Sequence, residues 1–341
     1  MPLQASDIAD LITTTQADLG RLKWTDLYTP LQEYVAMPSL MVKERVSFNS
    51  GTSISTNVMV GNSGNARNTG LYAADNTNAA DIMKTTSIPW RHSTTSYLIE
   101  NREVSMNREP ARIVDMVKTR RADAMIALAE LMEANFWGKP VDSNDTETPW
   151  GIDYWLVANA TEGFNGGVPA GFSDVAGLDP AVYDKWRNWT AQYTDVTKID
   201  LIRKMRQACT KTKFKSPIAQ PNYNGPPKQG LYANYATIAA MEEVAEAQND
   251  QLGNDLASKD GITLFRGMPL NYVPYLDSNA KNPVFGINWA DFKTAILSGE
   301  FLRESAPKEA ATSHNVLETF VDLSYNFMLR DRRSHFRIQT A

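Results

Sequence analysis

Residues 109–137 read EPARIVDMVKTRRADAMIALAELMEANFW, and this stretch decides the fold. Ile113, Val117, Ala124, Leu128 and Leu131 recur at helical spacing, and Val114, Met125 and Met132 widen the stripe. Asn107 is placed to cap the helix, and Pro110 falls in the first turn, where a missing N–H is tolerated. Gly138 and Pro140 stop it. At ~1.5 Å per residue the predicted helix is roughly 40 Å long, well beyond the usual globular length.

Working upstream, residues 46–60 (VSFNSGTSISTNVMV) and 84–104 (KTTSIPWRHSTTSYLIENREV) are rich in β-branched and polar residues. The polar, glycine-rich stretch GNSGNARNTGLYAADNTNAAD separates them, so 46–104 reads as an extended hairpin with a long tip. A two-stranded hairpin that buries little of its own surface is marginal alone and needs something to lie against. Before it, Leu3, Ile8, Leu11, Ile12 and Leu19 suggest a short amphipathic helix over 3–18, and Pro30 and Pro38 break up the segment that follows.

Downstream, TPWGIDYWLVANATEGFNGG (148–167) and KWRNW (185–189) are dense in aromatics and glycine, a composition that ligand loops share. A second helix is expected over 199–213, with Ile199, Ile202, Met205 and Cys209 on its apolar side and Thr197 and Asp200 resembling a capping box. Prolines make 216–230 a loop, and 231–249 reads as a third helix. Short strands follow at 261–276 and 283–289. The segment 316–330 alternates, with Leu317, Thr319, Val321, Leu323, Tyr325, Phe327 and Leu329 on one face, the mark of a long strand. A terminal strand is expected at 335–340. The fold class is α+β.

The search for chemistry returns little. His92, His314 and His335 lack the spacing of a helical zinc pair. GNSGNARNTG has no Lys-Ser/Thr after its last glycine, GFNGGVPAG lacks dinucleotide-loop spacing, and GNSG falls one residue short of a nucleophile elbow. Asp142, Asp145 and Glu147 do not have calcium-loop spacing, and Glu242, Glu243 and Glu246 read as a solvated helix face. Lys211, Lys213 and Lys215 read as a solvated helix end. No catalytic residue, cofactor or metal is expected. The single cysteine, Cys209, excludes an intrachain disulfide. The net charge of −5 and pI near 5.4 argue against a dedicated nucleic-acid binder. With no secretory signal and no apolar run of ~18 residues, a soluble chain in a reducing compartment is expected. Arg120, Arg121, Arg330, Arg332, Arg333 and Arg337 stand out, because arginine suits interfacial ion pairs with carboxylates.

The order of elements resembles the major capsid proteins of tailed bacteriophages, the Hong Kong 97-like fold, over nearly the whole chain. The resemblance rests on an arm (1–45), an extended hairpin matching the family's E-loop (46–104) and a spine helix (109–137). It also rests on Trp137-Gly138 followed by Pro149-Trp150-Gly151-Ile152, on FRGMPLNYVPYL (265–276) and on PVFGINWADFK (283–293). It implies a peripheral domain of 105–215 with 296–330 and an axial domain of 216–295 with 331–341. Residues 157–195 look like an addition to the minimal fold. Gly151 would permit a tight turn between packed strands, with Trp150, Tyr154 and Trp155 packing on the helix or a neighbour.

The function implied is self-assembly into hexamers and pentamers that form the icosahedral head of a DNA phage. The E-loop would bury Ile54, Val58, Ile88, Trp90 and Leu98 on an adjacent subunit, and Arg120, Arg121, Arg330, Arg332 and Arg333 would form intersubunit salt bridges. Implied partners are further copies of the chain, a separate scaffolding protein (only about 45 residues precede the hairpin), a portal protein, a decoration or cement protein, and packaged double-stranded DNA bound without sequence specificity. No membrane is involved. The expected location is the virion, after assembly in the host cytoplasm. No lysine lies in 61–80, so covalent crosslinking is not expected. An encapsulin-like nanocompartment shell and a carbohydrate-binding module are the alternatives.

Overall fold

The computed structural model describes residues 34–36, 45–71, 79–106, 110–212, 229–249, 264–311 and 313–341. The helix expected over 3–18 and the proline-rich loop up to 228 lie outside them, as do Lys213 and Lys215 and the side chains of Ile113, Val114, Glu246 and His314.

In chain order the elements are β1 (Arg45–Phe48), β2 (Ser53–Met59), β3 (Met83–Pro89), β4 (Arg91–Glu100), α1 (Asn101–Met106) and α2 (Pro110–Trp137). Then come α3 (Ile152–Trp155), β5 (Trp189–Tyr193), α4 (Leu201–Lys211), β6 (Gln229–Ala233) and α5 (Tyr235–Asn249). The chain continues through β7 (Leu264–Phe265), β8 (Met268–Tyr272), β9 (Val284–Asn288), β10 (Phe292–Leu297), β11 (Arg303–Glu304), β12 (Lys308–Ala310), β13 (Ser313–Leu329) and β14 (Phe336–Thr340).

Two six-stranded sheets and one ribbon result. β13 is the hub of the first sheet. It pairs antiparallel with β10, β11 and β12 and, over ten residues from Tyr325↔Arg91 to Val316↔Glu100, with β4; β1 lies parallel to β10. At ~3.3 Å per residue this strand spans about 56 Å. Its expected face is the buried one from Thr319 to Leu329, and from Ser324 onward both faces are buried, Asn326 and Met328 included. The second sheet runs β5-β14-β9-β6-β8-β7.

Helix α2 packs on β4 along the first sheet. Its buried row is Met116, Ala124, Leu128, Met132 and Phe136, spaced by multiples of four, whereas Leu131, expected on the stripe, is exposed. Phe136 is the hinge of the main core. Its ring meets Trp137 at 4.8 Å, Phe292 at 5.3 Å, Phe327 at 5.4 Å and Trp289 at 5.8 Å, joining the helix end to the first sheet and to the link between β9 and β10.

Two expected boundaries move. The hairpin is a ribbon of β2 and β3 alone, registered from Ser53↔Pro89 to Met59↔Met83, because β1 and β4 are captured by the first sheet. Residues 189–212, grouped above with 105–215, pack with the second sheet. β5 pairs parallel with β14, and Leu201, Met205, Ala208 and Cys209 of α4 share a second buried cluster with Trp189, Leu231, Val284 and Ile338. Ile199, expected on the apolar side, precedes α4 and is exposed; Leu201 takes that place.

Candidate assembly surfaces

The ribbon has two unlike faces. Ile54, Thr56 and Val58 stand opposite Ile88, Thr86 and Lys84 on one side. On the other side Ser55, Asn57, Met59, Met83, Thr85 and Ser87 are all exposed. The Thr56 and Thr86 hydroxyls bond across the first face at 2.6 Å. Ile54 and Ile88 are 0% exposed in a single chain, and Val58 and Trp90 are part-buried against the same core. Ile54 and Ile88 are expected above to be buried on a neighbouring subunit; within the single chain they already share one cluster with Val175, Ala176, Leu178 and Trp186 of the 172–186 segment. Trp90 turns inward too, with its ring edge-on to Phe48 at 6.0 Å and its Nε1–H donating to Gly51 O at 2.9 Å. Leu98 alone of the five stays open, at 45%. It projects from β4 on the side carrying Phe320, which is also exposed.

The arginines are tied within the chain. Arg120 donates to Glu103 at 2.8 Å and to the Leu98 carbonyl. Arg121 reaches Glu304 at 2.7 Å, and Arg333 chelates Asp331 at 2.8 and 3.0 Å. Arg337 pairs with Asp153 at 3.1 Å. The Arg330 N–H donates to Asp291 O. Arg332 is fully buried. It donates to the carbonyls of Trp155 (2.9 Å), Trp186 (2.8 Å) and Gly167 (3.1 Å) and to Asn188 Oδ1 (3.1 Å). Burial pulls its pKa down to about 9, so it remains charged at neutral pH, held by four neutral acceptors. Arg332, expected above to bridge subunits, has no exposed surface in the single chain. Arg120, Arg121 and Arg333 have carboxylate partners on their own chain.

The aromatic loop is a pedestal rather than a ligand platform. Trp150 stacks on Tyr154 at 4.4 Å, and Tyr154 meets Trp155 and Phe172 edge-on at 5.3 and 5.0 Å. Trp150, Tyr154 and Trp155 are buried, so these three rings offer no flat face to a sugar; Phe164 of the same stretch is exposed. Gly151 is not in a strand turn but begins α3. A Cβ there would lie 2.2 Å from Asn135 O, 2.3 Å from Gly138 O and 2.6 Å from Phe136 O. Only glycine lets this loop close on the end of α2. Asn326 joins loop to ribbon: its Oδ1 accepts the Trp150 N–H at 2.9 Å and its Nδ2 donates to Pro89 O at 2.7 Å.

Glu133, which sequence reading passed over, is buried on α2 and accepts the Val35 and Ala36 N–H groups and the Trp137 indole N–H. It fixes a piece of the arm to the long helix. Its place one position from Met132, with Ala129 and Trp137 four residues to either side, is the signal that marks it. Among the described residues no group of three His, Cys, Asp or Glu is arranged to hold a metal, and no helix is long and apolar enough to cross a membrane.

No protein-family model and no curated protein matches the sequence. Solved structures do. The capsid of a native GTA particle aligns at TM-score 0.59 and 13% identity, over 95% of this chain and 96% of that one. The capsid of cyanophage A-1(L) aligns at TM-score 0.57 and 14% identity, over 96% and 98%. The SrpI encapsulin of Synechococcus elongatus PCC 7942 aligns at TM-score 0.53 and 10% identity, over 99% and 96%. The fold of this chain is the one shared by these phage, GTA and encapsulin shell proteins.

Proposed function

We propose that the chain is a shell subunit, the major capsid protein of a tailed DNA bacteriophage, which assembles into the hexamers and pentamers of an icosahedral head. The observation that supports this most is that the likeness to shell proteins covers 95–99% of this chain and 96–98% of the matched chains. Contacts that repeat head to tail close into rings, and burial of each large apolar side chain at such contacts stabilises the shell by about 1.5–3 kcal/mol. The role is structural and not enzymatic. Its partners are further copies of itself, a separate scaffolding protein, a portal, a decoration or cement protein, and double-stranded DNA held without sequence specificity. Its place is the virion, after assembly in the host cytoplasm. Of the five predicted apolar contact residues, Leu98 is the most exposed, and we assign it to a neighbour.

Expression of the chain with a candidate scaffolding protein, followed by negative-stain microscopy, tests the reading. Closed shells support it; a chain that stays monomeric under all assembly conditions refutes it. The end-to-end likeness to an encapsulin supports a second reading, a protein-filled nanocompartment. Nuclease-resistant DNA inside native particles favours the phage head, and an enclosed enzyme favours the nanocompartment.

A further inference from the structure

The turn Val175–Leu178 is closed by two backbone bonds, Val175 N–H to Leu178 O at 2.9 Å and Leu178 N–H to Val175 O at 3.2 Å. Both central residues have positive φ, 57° at Ala176 and 83° at Gly177, as a type I′ turn requires. Glycine enters this region freely, whereas alanine does so against its own Cβ. Strain of this kind persists only where the surroundings impose it, and here they do. The Ala176 N–H donates to Tyr154 Oη at 3.0 Å, and the Ala176 carbonyl accepts the Ser87 N–H of β3 at 3.1 Å. Behind the turn, Trp186 Nε1–H donates to Val175 O at 3.1 Å. Arg332 locks both ends of the segment through Gly167 and Trp186, together with Trp155 beneath it. The strained residue thus presents its carbonyl to the ribbon's edge, while the ribbon's apolar face is buried with the same turn.

We propose that segment 157–187 is an intramolecular cradle that fixes the direction of the β2–β3 ribbon in the single chain, before any second copy is present. An unsupported two-stranded ribbon is marginal in water; the cradle supplies the missing surface and satisfies an edge N–H that would otherwise invite strand pairing. It leaves the opposite face, with Ser55, Asn57 and Thr85 and the Met59–Met83 pair at 52% and 49% exposure, to meet another molecule. The inference concerns the isolated chain, so it stands or falls separately from the shell reading.

Hydrogen–deuterium exchange on the unassembled chain, verified as monomeric by light scattering, provides the test. Amides of 54–58 and 84–88 should exchange at least roughly tenfold more slowly than unprotected amides. Tyr154→Phe keeps the ring but removes the acceptor of the Ala176 N–H, and should speed exchange at Ser87 and along the ribbon by about tenfold while β10 and β13 stay protected. Ile88→Asp should release the ribbon altogether. A wild-type ribbon within about threefold of the unprotected rate overturns the proposal. So does unchanged ribbon protection in Tyr154→Phe. Should Ile88→Asp unfold the chain, the wild-type and Tyr154→Phe profiles still decide.

Discussion

Gly151→Ala adds one methyl group, and its cost follows from three distances. The new carbon would lie 2.2, 2.3 and 2.6 Å from backbone oxygens at the end of α2, where close-packed interiors keep such atoms about 3.4 Å apart or more. Relief needs a shift of about 1 Å in backbone that is held on both sides, by Trp150 N–H on Asn326 and by Arg332 on Trp155 O. Overpacking usually costs about 1–3 kcal/mol, and a clash with three carbonyls and no flexible side chain falls at the upper end, about 3 kcal/mol. At about 2.1 cal/mol/K of unfolding entropy per residue, that lowers the thermal midpoint of a 341-residue chain by roughly 4 °C. Gly61→Ala is the control, because nothing lies within 4 Å of a Cβ there and the change should stay within about 0.5 kcal/mol. Circular dichroism melts of the unassembled variants decide it. Gly151→Ala melting within about 1 °C of Gly61→Ala refutes the packing argument.

Other outcomes are expected. Arg332→Met takes the guanidinium donor from the carbonyls of Trp155, Trp186 and Gly167, while Asn188 Oδ1 keeps the Val157 N–H, and should lower the urea midpoint by the equivalent of about 3 kcal/mol. Burial pushes the His335 pKa from 6.5 down to about 4. The unfolded chain therefore takes up this proton first as pH falls, and the stability contributed by the neutral ring is complete above about pH 6.5 and lost on descending to about pH 4. His335→Gln should flatten that part of the stability–pH curve, and parallel curves refute the assignment. Leu98→Glu should leave the melt of the single chain unchanged while cutting particle yield measured by sedimentation; normal yield removes Leu98 from the contact. Arg121→Ala breaks an exposed pair with Glu304 and should shift stability by less than about 1 kcal/mol.

What could be read from the sequence was what repeats locally. The alternation of 316–330 located β13, and the caps and stripe of 109–137 located α2 to within a residue. What escaped depended on pairing across long separations. Nothing in KWRNWTAQY states that it will lie parallel to Phe336–Thr340, and nothing in RHSTTSYLIE chooses β13 over a longer hairpin. The ribbon residues illustrate the same limit. Ile54 and Ile88 were legible as apolar residues in need of a surface, but their surface lies about a hundred residues on, in a segment whose polar composition hid it. Arg332 looked like a surface charge because its partners are backbone carbonyls, which carry no sequence signature.

The placement of β13 and β14 also governs the order of events during synthesis. β4, β10, β11 and β12 all pair through Ser313–Leu329, and β5 joins its sheet only through Phe336–Thr340. A nascent chain stopped before Ser313 holds four strands with no common neighbour and a fifth with none. The first sheet cannot form until this stretch has emerged, whereas β9, β6, β8 and β7 pair without it; long-range pairing of this kind is slow. Incomplete chains thus lack the body on which a ribbon and its cradle would stand, and an unfinished subunit is excluded from any assembly by its own topology.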